Sequence, residues 1–134
     1  GVAPKPLAKV ASGGELARVS LAISVIAATA TPVSTLIFDE VDAGIGGAVA
    51  ETVGRLLHEL GRTRQVLCVT HLPQVAARAD QHLLVAKQVR DAGTPVTRIE
   101  VLDRKTRVEE IARMLGGQTI TETTRKHARQ MLAG

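Results

Sequence analysis

The sequence predicts an α/β protein in which parallel strands are flanked by helices, followed by a hairpin and two closing helices. Three observations carry that expectation. The run Ser34-Thr35-Leu36-Ile37-Phe38 is short, apolar toward its end and stops at Asp39-Glu40, the length and composition of a strand buried on both faces of a parallel sheet. A helix-spaced segment from Ala48 to Leu60 follows, and Gln65 to Thr70 is then a second buried strand; strand, helix and strand of these lengths form a right-handed parallel unit. His82 to Gln88 and Val96 to Leu102 pair around Asp91-Ala92-Gly93 in the manner of a hairpin.

Composition bounds the class. At 134 residues the chain can form one domain with its own core. It is 45% hydrophobic and has no low-complexity tract, which argues for order. The longest apolar stretch, Leu21 to Ala30, is broken by Ser24 and Thr29 and followed by Pro32, which fits a buried helix and not a membrane span. Gly1-Val2-Ala3-Pro4-Lys5-Pro6 does not read as a signal peptide. Cys68 is the only cysteine, so an internal disulfide is excluded and a thiolate zinc site disfavoured. Its setting, Val66-Leu67-Cys68-Val69, suits a packed thiol, and the whole pattern fits a reducing, intracellular, cytoplasmic setting. The net charge of +4 suits a polyanionic partner, although the cations are spread along the chain. Phe38 is the only aromatic residue, which argues against recognition by stacked bases.

Taken in order, Ala3 to Ala8 carries two prolines and reads as extended. A helix is expected from about Gly13 to Ala30, with Leu16, Val19, Ile23, Ile26 and Ala27 on one side and Arg18 off that stripe. Thr31-Pro32 ends it. The turn Val41-Asp42-Ala43-Gly44-Ile45-Gly46-Gly47 follows the first strand. The helix after it turns Val49, Val53, Leu56, Leu57 and Leu60 inward and stops at Gly61 as a C′ residue. Leu72 to Ala77 starts a short helix with proline in its first turn. Arg98 and Glu100 alternate with Ile99 and Val101, giving the hairpin one wet face. The closing helices run from about Arg107 to Leu115 and from Thr121 to Leu132, with Gly116-Gly117 between them. No repeat and no domain linker is visible.

Two places could carry chemistry. Ser12-Gly13-Gly14-Glu15 opens the first helix, where Ser12 can cap an early amide and Glu15 can close a capping box. A plain capped helix explains those residues, but the small side chains also let a phosphate approach the free amides. Asp39 and Glu40 end the first parallel strand and His71 follows the second. Ligands of parallel α/β sheets bind beyond these carboxyl ends, so the three can share one edge. Adjacent carboxylates on an extended chain point to opposite sides, so Asp39 can hold magnesium while Glu40 orients a water; a solvated acidic turn after a strand explains the pair equally. By itself His71 can simply be a strand-end residue making an ordinary hydrogen bond, but placed parallel to Asp39-Glu40 a neutral His71 can bind a phosphate oxygen or the attacking water. His58, His82 and His127 have no comparable placement. Asp42 is either a turn residue or one that reaches across a subunit boundary. A P-loop, which needs Gly-Lys followed by Ser or Thr, is absent: none of Lys5, Lys9, Lys87, Lys105 or Lys126 follows a glycine. As an NTPase the chain is half a site.

Together, Pro6 to Leu16, Leu36-Ile37-Phe38-Asp39-Glu40-Val41-Asp42, Val69-Thr70-His71-Leu72-Pro73-Gln74-Val75-Ala76 and Leu115-Gly116-Gly117 resemble the ATP-binding cassette ATPases of the SMC-like class, in particular those that repair bacterial DNA. The order is that of the signature motif, Walker B strand, D-loop and switch histidine. The resemblance implies the C-terminal lobe of a P-loop NTPase head, with ATP and Mg2+ as cofactors. It implies that Ser12, Gly13 and Gly14, with Glu15 in the same turn, contact the γ-phosphate of an ATP held by an opposite head. Asp39 would serve magnesium, Glu40 would polarise the water, Asp42 would be the D-loop residue and His71 the switch histidine. Ala11 stands where many transporters of the superfamily have leucine. The implied partners are a Walker A segment of the same head, a second head and DNA, with no membrane. The chain alone is expected to be inactive. A metal-dependent phosphohydrolase using Asp39, Glu40, Asp42 and His71 as ligands, and a non-catalytic interaction module, are the competing readings.

Overall fold

The computed structural model describes residues 22–23, 26–27, 33–39, 42, 44–89, 95–116 and 119–134. The expected start of the first helix with Ser12, Gly13, Gly14 and Glu15, and the expected catalytic Glu40, lie outside the described residues. The chain divides into two units, Gly1–Val75 and Ala76–Gly134.

In the first unit, β1 (Thr35–Phe38) and β2 (Gln65–Cys68) pair in parallel, with Thr35 opposite Gln65 and Phe38 opposite Cys68. The crossover between them is α1 (Gly47–Gly61), as the strand–helix–strand spacing predicts. Its inner side carries Ala50, Val53, Gly54, Leu57 and Leu60, which recur every three or four residues on one helical face. With Phe38 and Val75, the side chains of Ala50, Val53, Leu57 and Leu60 form the core, edged by Leu36, Ile45, Val49, Val66, Cys68 and Leu72. Each buried Leu, Val or Phe contributes roughly 1.5–3 kcal/mol over leaving it in water. Leu56, expected inward, is exposed. Gly61 is still helical, and Arg62 after it stays right-handed at φ −66° with its N–H donating to Glu59 O. The helix therefore ends in a tightened turn, not in the glycine reversal expected at Gly61.

The strands are not buried on both faces. Phe38 points into the core, while Ile37 is 71% exposed and Leu67 and Val69 are exposed beside it. Alternation along a strand sends successive side chains to opposite faces, and only the face carrying Phe38 joins the core cluster. Ile23 and Ile26, helical and on the expected stripe, are exposed as well.

The short helix α2 (Pro73–Ala76) ends the first unit and opens the second. In the second unit, β3 (Leu83–Val89) and β4 (Pro95–Val101) form the expected antiparallel hairpin, with Leu83 opposite Val101 and Val85 opposite Ile99. Both of its faces meet solvent: Arg98 and Glu100 are exposed as expected, and Leu83, Val85, Ile99 and Val101 are exposed too. The closing helices are α3 (Arg104–Gly116) and α4 (Glu122–Ala133). Asp103 caps α3, accepting from the backbone N–H of Lys105 at 2.9 Å and of Thr106 at 2.8 Å. The Thr106 amide and hydroxyl hold the Asp103 carboxyl below its ordinary range. Thr121 caps α4 reciprocally: its hydroxyl accepts from Thr124 N at 3.2 Å, and the Thr124 hydroxyl accepts from Thr121 N at 2.7 Å. Ala76, Ala77, Ile111, Ala112 and Ala128 make the core of this unit. The Arg107 guanidinium donates to the carbonyls of Ala76, Ala77, Ala79 and Asp80, pinning the segment ahead of the hairpin. No described helix is long and apolar enough to cross a membrane.

Candidate functional site

The parallel register is what assembles the site. Because Phe38 lies opposite Cys68, the chain leaves both strands at the same edge, and Val69 N–H extends the pairing by donating to Phe38 O at 2.9 Å. Asp39 stands exposed at the end of β1. His71 stands three positions past the end of β2, with its side chain 73% exposed.

Past Asp39 the chain folds back. Ile45 N–H donates to Asp42 O at 3.2 Å, closing a turn in which Gly44 takes φ +74°. That left-handed conformation costs glycine nothing, because it has no Cβ. The turn drives the Asp42 side chain inward, where it is 2% exposed. A buried carboxylate is costly unless it is hydrogen-bonded, and this one is. Its Oδ2 accepts from the Thr70 hydroxyl and from His71 N at 2.9 Å, and it lies 3.2 Å from His71 Nδ1. Thr70 Oγ1 in turn accepts from Leu72 N at 3.0 Å. The fold thus brings Asp42 and His71 together within one chain. The Thr70 hydroxyl, which ties them, is a partner that sequence reasoning missed. The available signal was position: Asp42 lies four residues past the end of β1 and Thr70 two past the end of β2.

Cys68 lies behind this edge. Burial, and secondarily the charges of Asp42 and Asp39, push its thiol up to about 11. It is a packed, protonated thiol and no nucleophile. Among the described residues no group of three or more His, Cys, Asp or Glu is placed to hold a metal. Asp39, exposed at the strand end, offers a single carboxylate. That suits magnesium, which keeps several waters and takes one or two carboxylates plus phosphate oxygens. The phosphohydrolase reading takes Asp39, Glu40, Asp42 and His71 as ligands; Glu40 lies outside the described residues, and Asp42 Oδ2 is engaged by the Thr70 hydroxyl and the His71 amide.

The basic tail is largely committed internally. Arg107 holds four carbonyls. Arg113 pairs with Glu110 at 2.6 Å, Arg125 with Glu109 at 2.9 Å, and Arg129 with Glu122 at 3.0 Å. Arg104, Lys105 and Lys126 remain exposed with no ion pair to another described residue.

No protein-family profile matches the chain. It is 55% identical over 128 residues to the DNA repair protein RecN of Vibrio cholerae, covering 96% of this chain and 23% of that protein. To the DNA repair protein RecN of Bacillus subtilis it is 48% identical over 128 residues, covering 96% of this chain and 22% of that protein. The chain thus spans under a quarter of the length of the curated relatives it matches. Among solved structures, one from work on the ATP-driven dimerisation and DNA-stimulated activation of SMC ATPases superposes with a TM-score of 0.66 at 24% identity, covering 83% of this chain and 66% of that one. The Smc head domain of Pyrococcus yayanosii, solved with a coiled coil and joint, gives 0.62 at 28% identity over 77% of this chain and 19% of that one. By sequence this chain is similar to a segment of the RecN proteins, and its fold is similar to that of SMC head domains.

Proposed function

We propose that this chain is the part of an SMC-like, ABC-type ATPase head that carries the signature helix, the Walker B carboxylates and the switch histidine, in a bacterial protein that repairs DNA double-strand breaks. The observation that carries this reading is the shared edge of β1 and β2, where Asp39 and the Asp42–His71 pair follow two parallel strands. The RecN-like sequence, whose relatives are DNA repair proteins, supports the biological setting.

In this reading Asp39 holds Mg2+, which when bound would neutralise charge on the ATP phosphates. Glu40 orients the attacking water, and His71 meets that water or the γ-phosphate. Asp42 belongs to the D-loop, and its buried carboxylate couples that loop to His71. Ser12, Gly13 and Gly14, with Glu15 capping their turn, present helix-start amides to an ATP held by the P-loop of a second head. Closure of two heads completes both sites, and hydrolysis lets them part. The Walker A segment is supplied by another part of the same protein, so the isolated chain is inactive. DNA is the polyanion on which the cycle acts, in the bacterial cytoplasm at the nucleoid.

The test is to co-express the chain with a Walker A-bearing segment of the same protein and assay ATP hydrolysis. Reconstitution should restore turnover that neither part has alone. Glu40→Gln should then slow turnover about 100-fold or more while MgATP binding persists, because water activation is lost and the magnesium carboxylate is kept. Magnesium-dependent phosphatase activity in the isolated chain would instead establish the phosphohydrolase reading.

A further inference from the structure

We propose that Asp42 is a positioning residue for His71, fixing the neutral imidazole with its hydrogen on Nδ1 and leaving Nε2 as a hydrogen-bond acceptor on the exposed side of the ring. The inference rests on the reading above for its catalytic consequence, but its structural part stands on the contacts of one oxygen.

An ionised carboxylate oxygen can only accept hydrogen bonds. Asp42 Oδ2 receives the Thr70 hydroxyl and the His71 backbone N–H, and it also lies 3.2 Å from His71 Nδ1. Two lone pairs at that distance would repel, so the contact is favourable only when Nδ1 carries hydrogen. The hydrogen bond made by one ring nitrogen decides what the other presents. With Nδ1–H committed to Asp42, Nε2 of the neutral ring carries a lone pair.

The grip is also directional. The same oxygen holds both the main chain and the ring of His71, which restrains the two torsions between them. Asp42 itself is held by Thr70, which donates to the same oxygen while accepting from Leu72 N at 3.0 Å. It is 2% exposed, so water does not compete for it. The ring by contrast is 73% exposed. A carboxylate needed only to close the turn would be satisfied by Thr70 and the backbone amide alone; the 3.2 Å approach to Nδ1 is a further contact, to the ring. For the site, the consequence is specific. In the proposed site a neutral His71 of this form offers the attacking water an acceptor at Nε2.

Long-range proton–nitrogen correlation NMR of the chain, at a pH where the ring is neutral, reads the tautomer directly. The Nδ1–H form of His71 is expected to dominate, the reverse of a free histidine side chain. Asp42→Asn, nearly isosteric, should raise the Nε2–H fraction. Thermal melting of each variant reports whether it is folded. In the full-length protein, Asp42→Asn should lower ATP turnover about 10- to 100-fold at unchanged KM, by analogy with losing the partner that orients a metal-ligating histidine. The same substitution should add no further loss on a His71→Ala background. An Nε2–H tautomer in the unsubstituted chain, or a folded Asp42→Asn protein with unchanged tautomer and turnover, overturns the inference. Normal turnover in His71→Ala overturns the assigned role of His71 instead, and is distinguished from failure of the inference by the NMR result.

Discussion

His82 shows how a single side chain can make this fold sensitive to pH. Its Nδ1 is buried with no hydrogen-bond partner among the described residues. Burial, and then the nearby Arg107 guanidinium, hold its pKa below the ordinary 6.5, with Glu110 opposing weakly. The unfolded chain therefore takes up a proton near pH 6.5 and the folded chain only at lower pH. Stability is complete above that value and falls as pH drops through the interval below it, because the unfolded state binds more protons there. Asp103, whose depression acts only below its ordinary 3.8, lies outside that window. Urea unfolding at a series of pH values between neutral and mildly acidic should show the decline, and His82→Asn should flatten it. An unchanged pH dependence in that variant would exclude His82 as the cause.

At the scale of elements, position in the fold outweighs hydrophobicity. Ile111 is fully buried in α3 and Ile99 is 65% exposed on β4. Ile111→Ala should cost about 2–5 kcal/mol, Thr121→Ala about 1 kcal/mol through loss of the α4 cap, and Ile99→Thr no more than about 0.5 kcal/mol. Denaturant titration of the three variants checks the ranking; a larger loss for Ile99→Thr than for Ile111→Ala would reverse it. The same contrast marks what the sequence could reveal. Element types were legible because periodicity reports backbone conformation: the parallel pair, its crossover helix, the hairpin and both closing helices follow from spacing of apolar residues. Which faces are covered was not legible, because Ile37, Leu67, Ile99 and Val101 have the composition of buried positions whether or not anything packs on them. At the site, the common edge of Asp39 and His71 followed from two strands ending together. The inward turn of Asp42 did not, since it depends on Gly44 reversing the chain and on Thr70 waiting beyond the other strand.

For the whole molecule, the question is which charges remain to meet a polyanion. Net charge alone does not answer it, because a cation already paired inside the fold has little to give. Arg113, Arg125 and Arg129 are held by Glu110, Glu109 and Glu122, and Arg107 by backbone carbonyls. Arg104, Lys105 and Lys126 are the exposed cations of the two closing helices without such a pair among the described residues. Phosphate contacts release condensed counterions, so each contact contributes about 0.9 to the slope of log affinity against log salt on duplex DNA. If DNA is the partner, replacing Arg104, Lys105 and Lys126 with Gln in the full-length protein should reduce that slope by up to about 0.9 per residue and weaken binding without regard to sequence. Replacing Arg113 or Arg129 should leave the slope nearly unchanged, since their carboxylate partners already hold them. Binding isotherms at several salt concentrations measure both. An equal loss of slope from the paired arginines would mean that their ion pairs open on DNA. An unchanged slope in the triple variant would place the DNA contacts elsewhere in the protein.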